Sequence, residues 1–524
     1  MDVNYSLYLV TDSTATILGN KHLPSVVEAA IEGGVTVVQY RDKKSDTADL
    51  IRMGKELHAI TKGHNVPLLI NDRVDVALAI GAEGVHLGQD DMDLGTARRI
   101  LGPDTIIGVT ANSLEEATEA TRGGADYLGI GTVYATPTKE NTKSIIGTAG
   151  VKNVLSRLSM MDAKIPTVAI GGLNLSNVQC VMFQSKAPNK GLDGVAVVSA
   201  IMAAEDPESA AAALRKAIDT VPETMSPRAK ENHSLTILLK KVPHIVAVLG
   251  LVSPLCHNMT NLVVQNFAAN VALMIGAKPI MANYGEEAKD LATLGGSLVV
   301  NMGTVTPDGL LNYASAIRAY NEAGGPILFD PVGAGATEVR RQAVKTLMSN
   351  GYFDVIKGNE SEIRAVLGVS RGQQKGVDSG PSTSTDREKV LLVEEMATRD
   401  RNVVLMTGKT DYLSDGDRTF RIQNGHSLLG KISGSGCTLG TTIAAFLAVH
   451  REDKLLATLA AILMFEIAAE QAADRDDAKG PGTFVPAFLD QLSVIAFDAS
   501  LPNTEWLKAA KVQQLAENRT WRTT

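Results

Sequence analysis

Thr36-Val-Val-Gln-Tyr-Arg-Asp-Lys43 reads as a buried strand that runs out into charge. Its apolar start is short, β-branched and hydrophobic on both faces, as in a strand of a parallel sheet covered on each side. Period-two alternation then sends Gln39, Arg41 and Lys43 to one side at the point where the strand ends. Similar apolar runs recur at residues 7–11, 67–71, 84–88, 105–109, 127–131, 166–170 and 194–198. Helix-period segments lie between them, such as 113–122 and, after the last run, 208–218. Eight strand-helix units within about 220 residues is the count and size of a (β/α)8 barrel.

The chain has 524 residues, and single hydrophobic cores stop growing at roughly 250 to 300. A second domain is therefore expected. Residues 222–234, with prolines, polar side chains and no apolar period, read as a linker between domains at 1–221 and 235–524. Beyond it, Ala-rich helical stretches at 267–276, 440–449 and 455–473 mix with short strands at 297–301, 327–330 and 403–407. That mixture predicts a three-layer α/β domain. Residues 371–389 read as a polar surface excursion, and the chain from about Asn503 as a peripheral tail. A net charge of −8 argues against nucleic acid as the main partner. Cys180, Cys256 and Cys437 form no C-x-x-C pair, which speaks against a zinc site or disulfide framework and for a reducing cytoplasm. Apolar runs such as 455–465 are shorter than the ~20 residues of a membrane span, and no targeting segment is apparent at the N-terminus.

In a (β/α)8 barrel the chemistry gathers at the C-terminal strand ends. Those ends carry Gln39, Arg41 and Lys43; Asn71 and Asp72; Asp90 and Asp91; Thr136, Thr138 and Lys139; Gly171 and Gly172; Val198 and Ser199. Each alone is a common turn, cap or solvated strand end, and Asp72 alone could cap the next helix. Together they place carboxylates and cations, without histidine or cysteine ligands, on one mouth. Such a set suits Mg²⁺ on a diphosphate. Unblocked backbone N–H groups after strands seven and eight suit a second, phosphorylated substrate.

The strings VVQYRDK (37–43), NDRVDVA (71–77), GVHLGQDD (84–91), GVTA (108–111), GTVYATPTK (131–139), AIGGL (169–173) and VVSAI (197–201) resemble thiamine phosphate synthase in order and spacing. The resemblance implies that Asp72 and Asp91 hold Mg²⁺, and that Gln39, Arg41, Lys43, Asn71, Thr110 and Lys139 bind 4-amino-5-hydroxymethyl-2-methylpyrimidine diphosphate. It implies that Thr136, Thr138, Gly172, Val198 and Ser199 hold the thiazole phosphate. Thr110 stands where the family often has Ser, and residues 180–192 look lengthened.

In the second domain no G-x-x-x-x-G-K-[ST] loop occurs. Instead Lys431-Ile-Ser-Gly-Ser-Gly-Cys-Thr438 leads into an apolar helix, so glycine-exposed N–H groups and the helix dipole favour an anion. Cys437 falls in the first turn, where a thiolate would be stabilised. Taken alone it could equally be a small buried residue. Asp330 and the run Lys357-Gly-Asn-Glu360 place acids near where a Mg-nucleotide would lie.

With the stretches 257–261, 266–270, 406–408 and 479–484, these residues resemble hydroxyethylthiazole kinase, of the ribokinase-like fold. The resemblance makes Cys437 the catalytic base, Gly434 and Gly436 part of the anion hole, and Lys357 and Thr407 contacts to ATP. Asp330 and Glu360 would serve Mg²⁺, Met281 would pack on the thiazole, and Asn261 would lie on the substrate side. It also implies a homo-oligomer built on kinase trimers, with a hexamer as one form. The expected protein is a bifunctional thiamine biosynthesis enzyme acting on small molecules, with no membrane or nucleic-acid partner. The alternative keeps one domain as a ligand sensor or assembly scaffold. A general sugar kinase is disfavoured because sugar kinases of this fold usually place Asp where Cys437 stands.

Overall fold

The computed structural model describes residues 3–134, 136, 145–220, 234–369, 384–501 and 503–515. The chain divides into two compact units, Met1–Ser226 and Pro227–Thr524. All but Ser234 of the expected linker lies outside the described residues.

In the first unit β1 (Leu7–Val10), β2 (Val37–Tyr40), β3 (Leu68–Asn71), β4 (Gly84–Leu87), β5 (Ile106–Ala111), β6 (Tyr127–Ile130), β7 (Thr167–Ile170) and β8 (Gly194–Val197) close into a parallel barrel. β8 pairs back onto β1. Alternation along each strand sorts the side chains. Tyr8, Val10, Leu69, Ile106, Tyr127 and Val168 form one cluster. Leu7, Leu9, Leu68, Ile70, Leu128 and Ile130 pack with the helices in another. Gly108 is needed where it stands, because a Cβ there would overlap the Tyr127 ring. The expected helix at 113–122 is Leu114–Arg122, with the Ser113 hydroxyl accepting from the Glu116 N–H as its cap. The stretch 180–192 begins inside the helix Val178–Gln184, where Cys180, Val181 and Gln184 are buried.

The second unit holds a nine-stranded mixed sheet. Its strands are β9 (Leu255–Met259), β10 (Lys278–Ile280), β11 (Ser297–Asn301), β12 (Ile327–Asp330), β13 (Val355–Asn359), β14 (Val403–Thr407), β15 (Asp411–Ser414), β16 (Thr419–Ile422) and β17 (Val512–Leu515). They run in the order β10-β9-β11-β12-β13-β14-β15-β16-β17. The pairs from β10 to β14 are parallel and the rest antiparallel. Helices Leu235–Val252, Gln265–Met274, Ser435–Val449, Lys454–Ala473 and Pro481–Ser500 pack one face. Helices Pro307–Glu322, Glu338–Met348, Glu360–Leu367 and Asp386–Asp400 pack the other. The three layers are those expected from the sequence.

Three expectations need correction. The tail is not peripheral: Trp506 is buried and β17 completes the sheet against β16. The excursion at 371–389 gives way to helix at Asp386, where Thr385 and Glu388 form a reciprocal capping box; residues 370–383 lie outside the described residues. Finally, Leu235–Val252 and Lys454–Ala473 are each long and apolar enough to cross a membrane. Lys454–Ala473 is a core helix here, with Leu459, Ile462, Leu463 and Phe465 among the side chains it buries. Leu238, Val242, Ile245 and Leu249 of the other join the same cluster.

Candidate active sites in the two units

The C-terminal mouth of the barrel opens on a cavity of about 350 Å³. Gln39, Arg41, Lys43, Asn71, Asp72, Asp91, Thr110, Thr136, Gly172, Val198 and Ser199 all line it. Thr138 and Lys139 lie outside the described residues.

Local structure explains how the charged groups are held. Asp72 adopts a left-handed backbone conformation, φ 62°, tolerated by Asp better than by bulky residues. Arg73, not Asp72, is the N-cap of the following helix, so the Asp72 carboxylate remains available to the mouth. There it meets Lys43 Nζ at 3.2 Å. Asp91 turns back to accept from the Gly88 N–H at 2.7 Å. A side chain at Gly88 would press on that carboxylate. Burial and the adjoining Asp72 push the Asp91 carboxyl above its ordinary value. Two carboxylates held together in this way are a donor set that would suit a hard dication such as Mg²⁺. Arg41 is steadied by Asp12 at 3.4 Å, a partner that carries no pattern of its own in the sequence.

Below these groups lie Tyr8, His86 and Tyr127, which the sequence reading also missed. His86 Nε2 is 2.8 Å from Thr110 Oγ1, and its Nδ1 is 2.7 Å from the Tyr127 hydroxyl. The available signal was alternation: His86 stands two residues before Gly88 on β4, hence on the inward face.

In the second unit the residues gather around the start of the helix Ser435–Val449. Gly434 is its N-cap at φ 85°, with no side-chain cap and no acid in the first turn. Its free N–H groups and dipole are thus left for an anion. A Cβ at Gly434 would overlap Val264. Asn261 Nδ2 lies 3.6 Å from Cys437 Sγ and 3.1 Å from Asn301 Oδ1. Asn301 in turn donates to Asp330 at 2.8 Å, and Lys357 Nζ bonds both Asp330 Oδ1 at 3.1 Å and the Gly436 carbonyl at 3.0 Å. Cys437, Gly436, Asn261, Asp330 and Lys357 therefore form one connected group.

The other named residues are more dispersed. Thr407 ends β14 opposite Asn359. Met281, half-buried, follows β10 on a segment tied to β9 through His257 to the Ala282 carbonyl and Asn283 to the Thr260 carbonyl. Glu360 pairs with Arg364 at 3.0 Å. Glu362, not singled out by the sequence, is the carboxyl that feels Asp330 and Lys357. Burial and Asp330 push it up to about 7, while it accepts from the Gly333 and Asn359 N–H groups.

The expectation of a resting Cys437 thiolate is not met. Burial and the Asp330 carboxylate push the thiol up to about 11, outweighing Lys357 and the two Asn contacts. At neutral pH this holds Cys437 as the thiol, with only a small thiolate fraction able to accept a proton.

Comparison with known proteins agrees with both halves. Residues 7–201 match thiamine monophosphate synthase, and residues 247–498 match the hydroxyethylthiazole kinase family. The probable thiamine biosynthetic bifunctional enzyme of Schizosaccharomyces pombe is 42% identical over 98% of this chain and 99% of its own length. The thiamine biosynthetic bifunctional enzyme of Saccharomyces cerevisiae is 37% identical over 94% and 95% respectively. The thiamine-phosphate synthase of Clostridium novyi is 46% identical over 41% of this chain and 98% of its own. With a synthase barrel and a thiazole kinase in one polypeptide, this chain belongs to the family of bifunctional thiamine biosynthetic enzymes.

Proposed function

We propose that the synthase occupies residues 1–221 and the kinase 235–524, joined by a linker at 222–234, and that the two sites work in sequence through the residues described above. The kinase transfers the ATP γ-phosphoryl group to the hydroxyl of the hydroxyethylthiazole. The synthase then joins the ring nitrogen of that phosphate to the pyrimidine methylene, the C–O bond to diphosphate breaking as the C–N bond forms. The observation that carries the reading is the convergence of Arg41, Lys43, Asn71, Asp72, Asp91 and Thr110 on one cavity.

In the synthase, Arg41, Lys43, Asn71 and Thr110, with Lys139, take the oxygens of the leaving diphosphate, and their task is to stabilise its growing charge. Gln39 addresses the pyrimidine ring. Thr136, Thr138, Gly172, Val198 and Ser199 seat the thiazole phosphate. Mg²⁺, held by Asp72 and Asp91, supplies further charge neutralisation when bound.

In the kinase, Cys437, having lost its own proton to solvent, receives the hydroxyl proton as a thiolate, Gly434 and Gly436 offer backbone N–H groups to the transferring phosphoryl group, and Asn261 and Met281 face the thiazole. Thr407 and Glu360 lie on the nucleotide side. Lys357 acts beside them by holding Asp330 and the Gly436 carbonyl. Asp330 and Glu362 are buried with oxygens already engaged. Such a set fits Mg²⁺ carried chiefly by the nucleotide's phosphates and water, not an all-protein cage.

We assign the enzyme to the cytoplasm, as a homo-oligomer built on kinase trimers. In support, Leu262 and Val263, beside Asn261, are 74% and 79% exposed. Light scattering that returned a monomer would remove that assignment. The residue roles are tested by a coupled assay with the thiazole alcohol, ATP, the pyrimidine diphosphate and Mg²⁺. Asp91→Ala should stop at thiazole phosphate, and Cys437→Ala should be rescued by supplying that phosphate.

A further inference from the structure

The floor of the synthase cavity is a continuous chain of side chains running from one proposed pyrimidine-diphosphate residue to another. Gln39 Nε2 is 2.7 Å from the Tyr8 hydroxyl, which is 2.8 Å from the Tyr127 hydroxyl. The Tyr127 hydroxyl is 2.7 Å from His86 Nδ1, and His86 Nε2 is 2.8 Å from Thr110 Oγ1. Four bonds thus connect β2 to β5 through β1, β6 and β4, and all five side chains line the cavity.

Each member has a limited choice. Burial raises both phenols, so each keeps one proton to donate. A neutral imidazole has one donor and one acceptor nitrogen. Setting the direction of one bond therefore sets the others. If Gln39 donates to Tyr8, then Tyr8 donates to Tyr127, Tyr127 to Nδ1, and Nε2–H to Thr110, whose own proton is released to the cavity. If the amide is turned over, every bond reverses. The Gln39 amide N–H₂ then faces the cavity, and the Thr110 proton is spent on His86.

We infer that this chain couples recognition of the pyrimidine's 4-substituent at Gln39 to the hydrogen-bond character of Thr110 at the diphosphate, and so selects an aminopyrimidine over its 4-oxo counterpart. The inference rests on the assignment of Gln39 and Thr110 to that substrate. An exocyclic amine donates to the Gln39 carbonyl and draws the chain into the first direction. Thr110 then donates to diphosphate oxygens, which can only accept. A 4-oxo group draws the amide N–H₂ instead and leaves Thr110 lone pairs facing anionic oxygen, a mismatch of the kind that gives strong discrimination. Tyr8, Tyr127 and His86 are positioning residues in this scheme.

The test compares kcat/KM for the diphosphates of the aminopyrimidine and its 4-oxo counterpart in the full chain. Tyr127→Phe removes the middle hydroxyl while the ring keeps its packing on Tyr5, 4.8 Å between centroids. The amino-to-oxo ratio should fall at least ~10-fold, because the two ends are no longer linked. Tyr8→Phe should do the same, and Tyr5→Phe, outside the chain, should keep the wild-type ratio. An unchanged ratio in both Tyr127→Phe and Tyr8→Phe overturns the coupling. Independently of any fold defect, ¹⁵N shifts of His86 with the aminopyrimidine diphosphate bound should place the proton on Nε2, and a proton on Nδ1 overturns it. Thr110→Ala with unaltered kcat and KM would instead remove the underlying assignment, and the coupling with it.

Discussion

Lys357 Nζ stands 3.1 Å from the Asp330 carboxylate, with 4% and 0% of the two side chains exposed. Buried pairs of this kind contribute little net stability, yet removing one partner strands the other charge, at a cost of roughly 3–5 kcal/mol. Asp330→Ala or Lys357→Met should therefore lower the Tm of the kinase unit sharply. The pair Asp330→Asn with Lys357→Met should regain most of the stability and none of the kinase activity. Calorimetry beside a kinase assay separates the two effects, and activity returning with stability would remove these residues from the site.

At the barrel mouth, Asp91→Asn keeps the shape and removes a charge. The synthase should lose about 10²–10³ in kcat/KM and need more Mg²⁺ to saturate, while the kinase rate stays unchanged. An unaltered Mg²⁺ dependence would count against Asp91 as a ligand.

Cys437 predicts an alkaline limb. With its thiol pushed up to about 11, the fraction available as a base grows about tenfold per pH unit below that value. The kinase kcat should climb from pH 7 to 9 without a plateau, and Cys437→Ala should flatten the profile. A plateau already present at pH 7 would mean that another group sets the rate.

Asp411 and Glu466 form a second buried acid pair. Burial pushes Asp411 up to about 6, and burial with Asp411 alongside raises Glu466. The Asp411 value in the fold exceeds its ordinary 3.8, so protonation favours the fold. Its contribution is fully present below 3.8 and is lost as pH rises through 6. Glu466→Gln offers a permanent N–H donor in place of the shared proton. Its advantage in Tm over the wild type should grow between pH 5 and 8, and a pH-independent difference would rule the shared proton out.

Gly434→Ala combines a left-handed φ of 85° with a Cβ pressed into Val264. Kinase kcat should fall at least ~10-fold with synthase activity retained. A fully active variant would show that the turn before Cys437 tolerates displacement.

The parts legible in advance were those written in local pattern. Barrel strands such as Gly84–Leu87 announce themselves as apolar runs closed by Gly and acid, and the strand ends deliver Arg41, Asp72 and Asp91 to the same mouth. What stayed hidden depends on distant partners. His86 and Tyr127 look like ordinary strand residues until barrel closure brings them to 2.7 Å. Glu362 was passed over for Glu360, although both lie in the first turn of one helix. Only the tertiary fold turns Glu362 toward Asp330 and leaves Glu360 on Arg364. The thiolate expected at Cys437 rested on a helix end, and burial beside Asp330 outweighed it.

The strand Val512–Leu515 lies against Thr419–Ile422, about ninety positions earlier in the chain. During synthesis the barrel has every strand it needs once β8 has been made, and it can close while the kinase is still emerging. The kinase must instead wait with the edge of β16 uncovered until β17 has been translated. Nascent chains arrested or clipped just short of 512 should therefore carry a competent synthase beside an open, self-adhesive edge, and quality control should meet this enzyme mostly as half-finished kinase.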